Sequence, residues 1–161
     1  WRKRQGLPAR DVKRLDDTEL HRIYESGYWI PPHCDRLARQ LDLVHFDTAV
    51  NMGPGRAVRF LQKAAGCGVD GDFGSQTEKA VQACRPGDLI ASYCATREAY
   101  YRELVRRNAS LGVFLKGWLN RLNALRHEVG LAGFEAAPRG GVDEAGARRI
   151  PDIGEDTAYD F

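Results

Sequence analysis

Few features of this sequence are extreme, and what is missing narrows the reading first. No apolar run approaches the ~20 residues that a membrane-spanning helix needs. The opening WRKRQGLPARD also lacks the apolar core of a secretory signal, so the chain reads as soluble, with no membrane insertion. Cysteine is scarce and scattered: Cys34, Cys67, Cys84 and Cys94 show no C-x-x-C and no cysteine–histidine pair at finger spacing, which argues against zinc. Cys84 and Cys94 flank a turn at Arg85-Pro86-Gly87 and could approach each other, but buried, reduced thiols are the commoner state of scattered cysteines. Charge of one sign is lacking too. With 24 basic against 22 acidic residues the formal net charge is +2, so bulk electrostatics give no case for nucleic acid or anionic lipid. The basic residues Arg102, Arg106, Arg107, Lys116, Arg121 and Arg126 keep a helical nucleic-acid binder in view, and near-neutrality argues against it.

Catalytic motifs are equally sparse. The four histidines, His21, His33, His45 and His127, never stand in H-x-x-x-H or H-E-x-x-H spacing, and no G-x-S-x-G elbow supports a serine nucleophile. No cofactor motif is present.

What is there is helical periodicity. The 161 residues, 43% hydrophobic, suffice for one sizeable core. Leu15-Asp16-Asp17-Thr18-Glu19-Leu20 reads as a helix start, with Asp16 as cap, Glu19 placed as in a capping box, and Leu15 able to staple onto Leu20. The helix should run to about Tyr28 with Leu20, Ile23, Tyr24, Gly27 and Tyr28 inward, and stop at Pro31-Pro32. A second helix over about Leu41 to Met52 places Leu43, Phe46 and Val50 on one face. A third starts at Pro54, carries Val58, Leu61 and Ala65, and ends at Gly66. Ser75 is read as the cap of a short helix with Thr77, Ala80, Val81 and Cys84 inward, and Asp88 as the cap of the next. That helix carries Leu89, Ile90, Tyr93, Cys94, Tyr100, Tyr101, Leu104 and Val105. The last carries Leu111, Phe114, Leu115, Trp118, Leu122, Leu125 and Val129. No alternating strand pattern appears. The expected fold is all-α with about six helices, in regions 1–52 and 53–130 packed as one unit, followed by an irregular tail over 131–161.

Two segments invite a chemical reading. GCGVDGDFG, residues 66–74, holds four glycines and two aspartates. It supplies too few oxygen ligands for a calcium loop and lacks the lysine of a phosphate loop. What remains is a reversal in which Asp70 or Asp72 bonds backbone amides and Phe73 anchors the loop in the core. In FDTAVNMG, residues 46–53, Asp47 and Asn51 share one ridge, and Asp47 borders the apolar stripe. Such a carboxylate is either a buried structural bracket or part of a polar cleft.

Taken in order, several segments resemble one family. Asp11 to Leu20 followed by Ile23-Tyr24 and Tyr28-Trp29, then Phe46 to Ala57 with Leu61-Gln62, then Val69 to Thr77, then Gly117-Trp118-Leu119-Asn120-Arg121 are similar to the successive motifs of the phage- and prophage-type N-acetylmuramidases of glycoside hydrolase family 108 and their accompanying peptidoglycan-binding domain. The resemblance covers about residues 9 to 128. It implies a lysozyme-like helical protein that cleaves the β-1,4 bond between N-acetylmuramic acid and N-acetylglucosamine. It implies bacterial peptidoglycan as partner to a monomer without cofactor, made in the cytoplasm and acting on the wall in the periplasm. The family's catalytic glutamate belongs to an E-G-G-Y stretch placed ahead of Trp1. Glu25-Ser26-Gly27-Tyr28 imitates that stretch by letters but lies in the family's Tyr-Trp helix, so no catalytic residue is assigned. Tyr28, Trp29, Asp47 and Asn51 are the candidates for the saccharide-facing side, and Asp70 and Asp72 for glycan contact at the turn. A non-catalytic wall-binding or interaction module is the alternative.

Overall fold

The computed structural model describes residues 1–131, and the tail expected beyond them lies outside the described residues. Among the described residues there are six α-helices and no strand: α1 Asp17–Tyr24, α2 Leu41–Met52, α3 Pro54–Ala65, α4 Ser75–Ala83, α5 Pro86–Arg107 and α6 Gly112–Glu128. None of them is long and apolar enough to cross a membrane.

Helix α1 starts as the sequence suggests, the Asp16 carboxylate accepting the Glu19 amide at 2.8 Å. The capping box is not closed, because the Glu19 side chain turns instead to Arg2 and Arg10. After Tyr24 the helix widens into a π-helical turn over Glu25–Trp29, closed by the Ile30 amide on the Glu25 carbonyl at 2.9 Å. This widening rotates the following residues relative to the α-helical wheel. The expected inward stripe already fails in part ahead of this turn: Leu20 and Tyr24 are 40% and 39% exposed.

Helix α2 has the predicted bounds but a different buried face. Leu41, Val44, His45, Thr48 and Ala49 are buried, while Leu43 is exposed and Phe46 and Val50 are half-buried. The helix has two covered sides, one against α3 and α5 and the other against the Glu25–Trp29 turn, and apolar residues alone do not reveal which is the deeper.

Pro54 opens α3 one residue after α2 ends, and Gly53 at φ 88° makes the bend between them. Helix α3 packs against both α4 and α5, and α5 against α6. Leu61, Tyr93, Cys94 and Leu122 are fully buried where these helices meet. The two expected caps after the turn are not used. Gly74 is the N-cap of α4, with Ser75 in its first turn, and Arg85 precedes α5 with Pro86 at its first position, leaving Asp88 exposed inside the helix. Proline fixes the first-turn backbone without a side-chain cap.

The glycine-rich segment is a reversal organised by one buried amide. Gln62 Nε2 lies 2.6 Å from Asp70 Oδ1, 2.9 Å from the Asp72 carbonyl and 3.1 Å from Thr77 Oγ1, while Gln62 Oε1 accepts the Gly71 amide at 2.9 Å. Asp70 Oδ1 also accepts the Asp72 amide at 2.9 Å. The Asp72 amide and the Gln62 side chain hold the Asp70 carboxyl below its ordinary range. Phe73 is buried and stacks on His33 at 5.0 Å, so the anchor is where the sequence puts it. All four cysteines are unpaired; Cys34 and Cys94 are buried, and Cys67 and Cys84 half-buried. Burial pushes the Cys34 thiol up to about 12, which makes it inert as a nucleophile at neutral pH.

Gly71 sits at φ 86°, and an added Cβ would stand 3.1 Å from the Arg59 guanidinium. Gly71→Ala is expected to cost roughly 1–2 kcal/mol, set by the left-handed backbone rather than by the movable arginine. Gly68→Ala, which meets nothing within 4 Å, should stay within about 0.5 kcal/mol of the parent in urea denaturation.

Candidate functional site

The six residues singled out from the sequence fall into three groups. Asp70 and Asp72 shape the turn just described, both exposed, Asp70 tied by its carboxylate and Asp72 by its backbone. Tyr28 and Trp29 join an aromatic surface with Tyr24 and Phe46. Ring centroids are 6.0 Å apart for Tyr24–Tyr28, 6.1 Å for Tyr24–Phe46 and 5.4 Å for Trp29–Phe46, the last two edge to face. The π-helical turn brings Tyr28 and Trp29 onto this surface from the end of α1, and Phe46 meets them from α2. Tyr28 and Trp29 remain half-exposed, which leaves ring area for a flat ligand.

Asp47 and Asn51 form the third group, and here the geometry builds a bracket. Asp47 Oδ2 accepts Arg97 Nη1 at 2.6 Å, and Oδ1 accepts Arg121 Nη2 at 2.6 Å and Nε at 3.0 Å. The Asn51 amide reaches back to the Asp47 carbonyl at 2.7 Å. Arg97 is fully buried and also donates to Thr48 Oγ1 at 3.1 Å and to the Tyr101 hydroxyl at 3.0 Å. Arg121 is half exposed. Beside this network His45, fully buried, lies 2.9 Å through Nε2 from the Pro32 carbonyl and 3.1 Å through Nδ1 from the Tyr93 hydroxyl. That hydroxyl is in turn 3.0 Å from the Ala57 carbonyl. A neutral ring protonated on Nε2 donates to the Pro32 carbonyl, while the Tyr93 hydroxyl donates to the Ala57 carbonyl.

Arg97, Gln62 and His45 are the organising polar residues that sequence reasoning missed. A signal for Arg97 existed, since it stands at helical spacing between Tyr93-Cys94 and Tyr101 on the inward stripe of α5. A second carboxylate, Glu19, lies 8% exposed between Arg2 and Arg10. It forms one wall of an open cleft of about 400 Å³ that Arg22 and Asp16 also line. Both carboxylates, Glu19 buried and Asp47 half-buried, thus have their oxygens taken by guanidinium donors, an arrangement suited to fixing structure and ill suited to handing a proton to a glycosidic oxygen. No group of three or more histidine, cysteine, aspartate or glutamate side chains is placed to hold a metal among the described residues.

Residues 1–53 match the family described as Glycosyl hydrolase 108, and residues 56–123 match a predicted peptidoglycan domain. The structure of Brucella abortus SagA is similar, with a TM-score of 0.68 and 30% identity over 79% of this chain and 72% of that one. The chain belongs to the glycosyl hydrolase 108 family. No curated protein matches it. Its function is that of a peptidoglycan hydrolase or peptidoglycan-binding protein, and peptidoglycan is its partner. Against these matches the Asp47 bracket takes on meaning. Asp47 lies in the glycosyl hydrolase region, whereas Arg97 and Arg121 lie in the peptidoglycan domain, so one carboxylate ties the two together.

Asp47→Asn leaves the buried Arg97 charge without its counter-ion and is expected to lower stability by about 3 kcal/mol. Arg121→Met, at the exposed end of the same carboxylate, should cost less than about 1 kcal/mol in the same urea titration.

Burial lowers the His45 pKa from its ordinary value to about 4. The unfolded chain therefore takes up the proton first. Stability should be full above about pH 6.5 and fall by up to about 3 kcal/mol as pH drops through the interval to about 4. His45→Gln should flatten that part of the profile.

Proposed function

We propose that this protein is a lysozyme-type muramidase, hydrolysing the β-1,4 bond between N-acetylmuramic acid and N-acetylglucosamine, and that its described residues hold the wall polymer in place for the reaction. The observation that carries this reading is the junction itself: a glycosyl hydrolase 108 region and a peptidoglycan domain locked in one orientation by Asp47, Arg97 and Arg121. A fixed orientation lets binding energy from one region position a glycan strand against the other.

In this reading Tyr28 and Trp29 act as saccharide platforms, since the flat apolar face of a pyranose packs on an aromatic ring. Asp47 and Asn51 stand behind them as positioning residues on α2, the helix that also carries Phe46. Asp70 and Asp72 edge the turn with exposed carboxylates that can accept sugar hydroxyls. No residue of 1–161 is assigned as the general acid that glycoside hydrolysis requires. The site of action is the wall, reached in the periplasm after synthesis in the cytoplasm.

A second reading, wall binding without cleavage, is favoured by one observation. The buried carboxylate of Glu19 and the half-buried one of Asp47 are both occupied by arginines. One experiment separates the two: incubate the 161-residue chain with purified sacculi and assay co-sedimentation and release of reducing ends. Binding is expected. Release places a working acid within these residues and directs attention to Glu25 and Asp47; binding without release assigns them to wall binding; absence of both defeats the muramidase and wall-binding readings for this chain.

A further inference from the structure

Trp29 has a second face. Together with Arg39, Gln40, Asp42, Leu43 and Glu128 it lines an open cleft of about 340 Å³. Here Trp29 and Leu43 supply an apolar wall, Leu43 being the exposed leucine that the sequence had placed in the core. The floor is polar and of both signs.

Three residues of this cleft are placed against local structural preference. Arg39 comes just before the N-cap of α2, so its cation faces the positive end of that helix dipole. Glu128 is the last residue of α6, so its anion faces the negative end of that one. Gln40, the N-cap itself, has φ 77°, a conformation in which glycine would be unstrained, and its side chain does not cap the helix. Neither Arg39 nor Glu128 forms an ion pair or side-chain hydrogen bond with a described residue, and the Trp29 indole N–H likewise has no acceptor there. One misplaced charge is ordinary surface variation. Two of opposite sign, neither paired with a described residue and both lining one cleft with an aromatic wall, suit a ligand that carries both charges.

We propose that this cleft binds the peptide stem of peptidoglycan. The inference rests on the peptidoglycan reading above and deepens it. In that polymer the glycan strand is a run of N-acetylated sugars whose muramyl carboxyl groups are tied up as amides. Free carboxylates and free ammonium groups belong to the stem. Arg39 takes a stem carboxylate in its guanidinium fork. Asp42 and Glu128 take the ammonium of the diamino acid, and its methylene chain and the neighbouring alanine methyl lie on Trp29 and Leu43. Trp29 then faces sugar on one side and stem on the other, which sets where along the strand the protein sits.

The test uses the full chain and the soluble stem tetrapeptide L-alanyl-γ-D-glutamyl-meso-diaminopimelyl-D-alanine, followed through the indole ¹⁵N–¹H signal of Trp29. A saturable shift is expected with the peptide; because Trp29 also serves as a sugar platform, the disaccharide lacking peptide is expected to shift the signal too, but insensitively to Arg39→Gln and Glu128→Gln. Arg39→Gln and Glu128→Gln, at exposed positions unpaired among the described residues, should each weaken peptide binding on the order of tenfold. No shift with the peptide, or unchanged peptide affinity in both variants, would each overturn the assignment. Sacculus co-sedimentation run in parallel keeps the two readings apart. A flat peptide titration with retained co-sedimentation defeats the stem site alone, and a flat titration without co-sedimentation defeats both.

Discussion

The arrangement of this protein turns on a buried guanidinium and the carboxylate that makes its burial tolerable. Arg97 is fully enclosed between α2 and α6, where an unpaired charge would cost several kcal/mol. Asp47 supplies the countercharge, Thr48 and the Tyr101 hydroxyl take further N–H groups, and the guanidinium carbon lies 5.7 Å from the Tyr101 ring centroid. A lysine could not do this, because a single ammonium has no planar fork to satisfy three partners at fixed angles. Tyr101 is held in turn by stacking on Trp118 at 5.1 Å, and Trp118 on Phe114 at 5.9 Å. The G-W-x-x-R run of α6 is thereby explained: Trp118 braces the tyrosine that holds Arg97, and Arg121 closes the carboxylate from outside. Any shift of α2 relative to α5 would expose an unmatched charge, so the register between the two regions is set electrostatically as much as by packing.

Much of the scaffold was legible because it is local. Pro54 at the start of α3, Gly66 after its end, the Asp16 cap and the bounds of α2 each follow from single-residue chemistry within one turn of helix. Phe73 as loop anchor was legible for a similar reason, as the one large apolar residue among glycines and aspartates. The failures share a cause as well. Leu43 and Val50 were read as core because they are apolar. The deeper face of α2 instead carries His45 and Thr48, polar residues whose partners, Pro32, Tyr93 and Arg97, are distant in sequence. Ser75 and Asp88 were read as caps because their side chains can cap, but Gly74 and Pro86 shape those helix starts by backbone alone.

Gln62 shows how a motif letter acquires a physical cause only in three dimensions. In the sequence it is the second half of Leu61-Gln62, with nothing to distinguish it from a solvated glutamine. In the fold it is 1% exposed, and its one amide meets Asp70, Asp72 and Thr77 while receiving Gly71. Four groups of a loop that would otherwise need their own partners converge on one side chain. The tight glycine turn is what allows the backbone to come close enough.

This bears on where the wall polymer is recognised. The most recognisable stretch, Phe46 to Gly53, is largely consumed by the fold: Phe46 by the aromatic cluster, Asp47 and Asn51 by the bracket, Thr48 and Ala49 by the core. Residues so fully engaged internally have few free groups to offer a ligand. Free groups remain outside that stretch, at half-exposed Tyr28 and Trp29, at exposed Asp70 and Asp72, and at Arg39 and Glu128, which have no ion-pair partner among the described residues. Sequence motifs in this protein therefore point first to how its two regions are joined. The side chains that meet peptidoglycan must be sought beside them, among residues that the fold leaves unsatisfied.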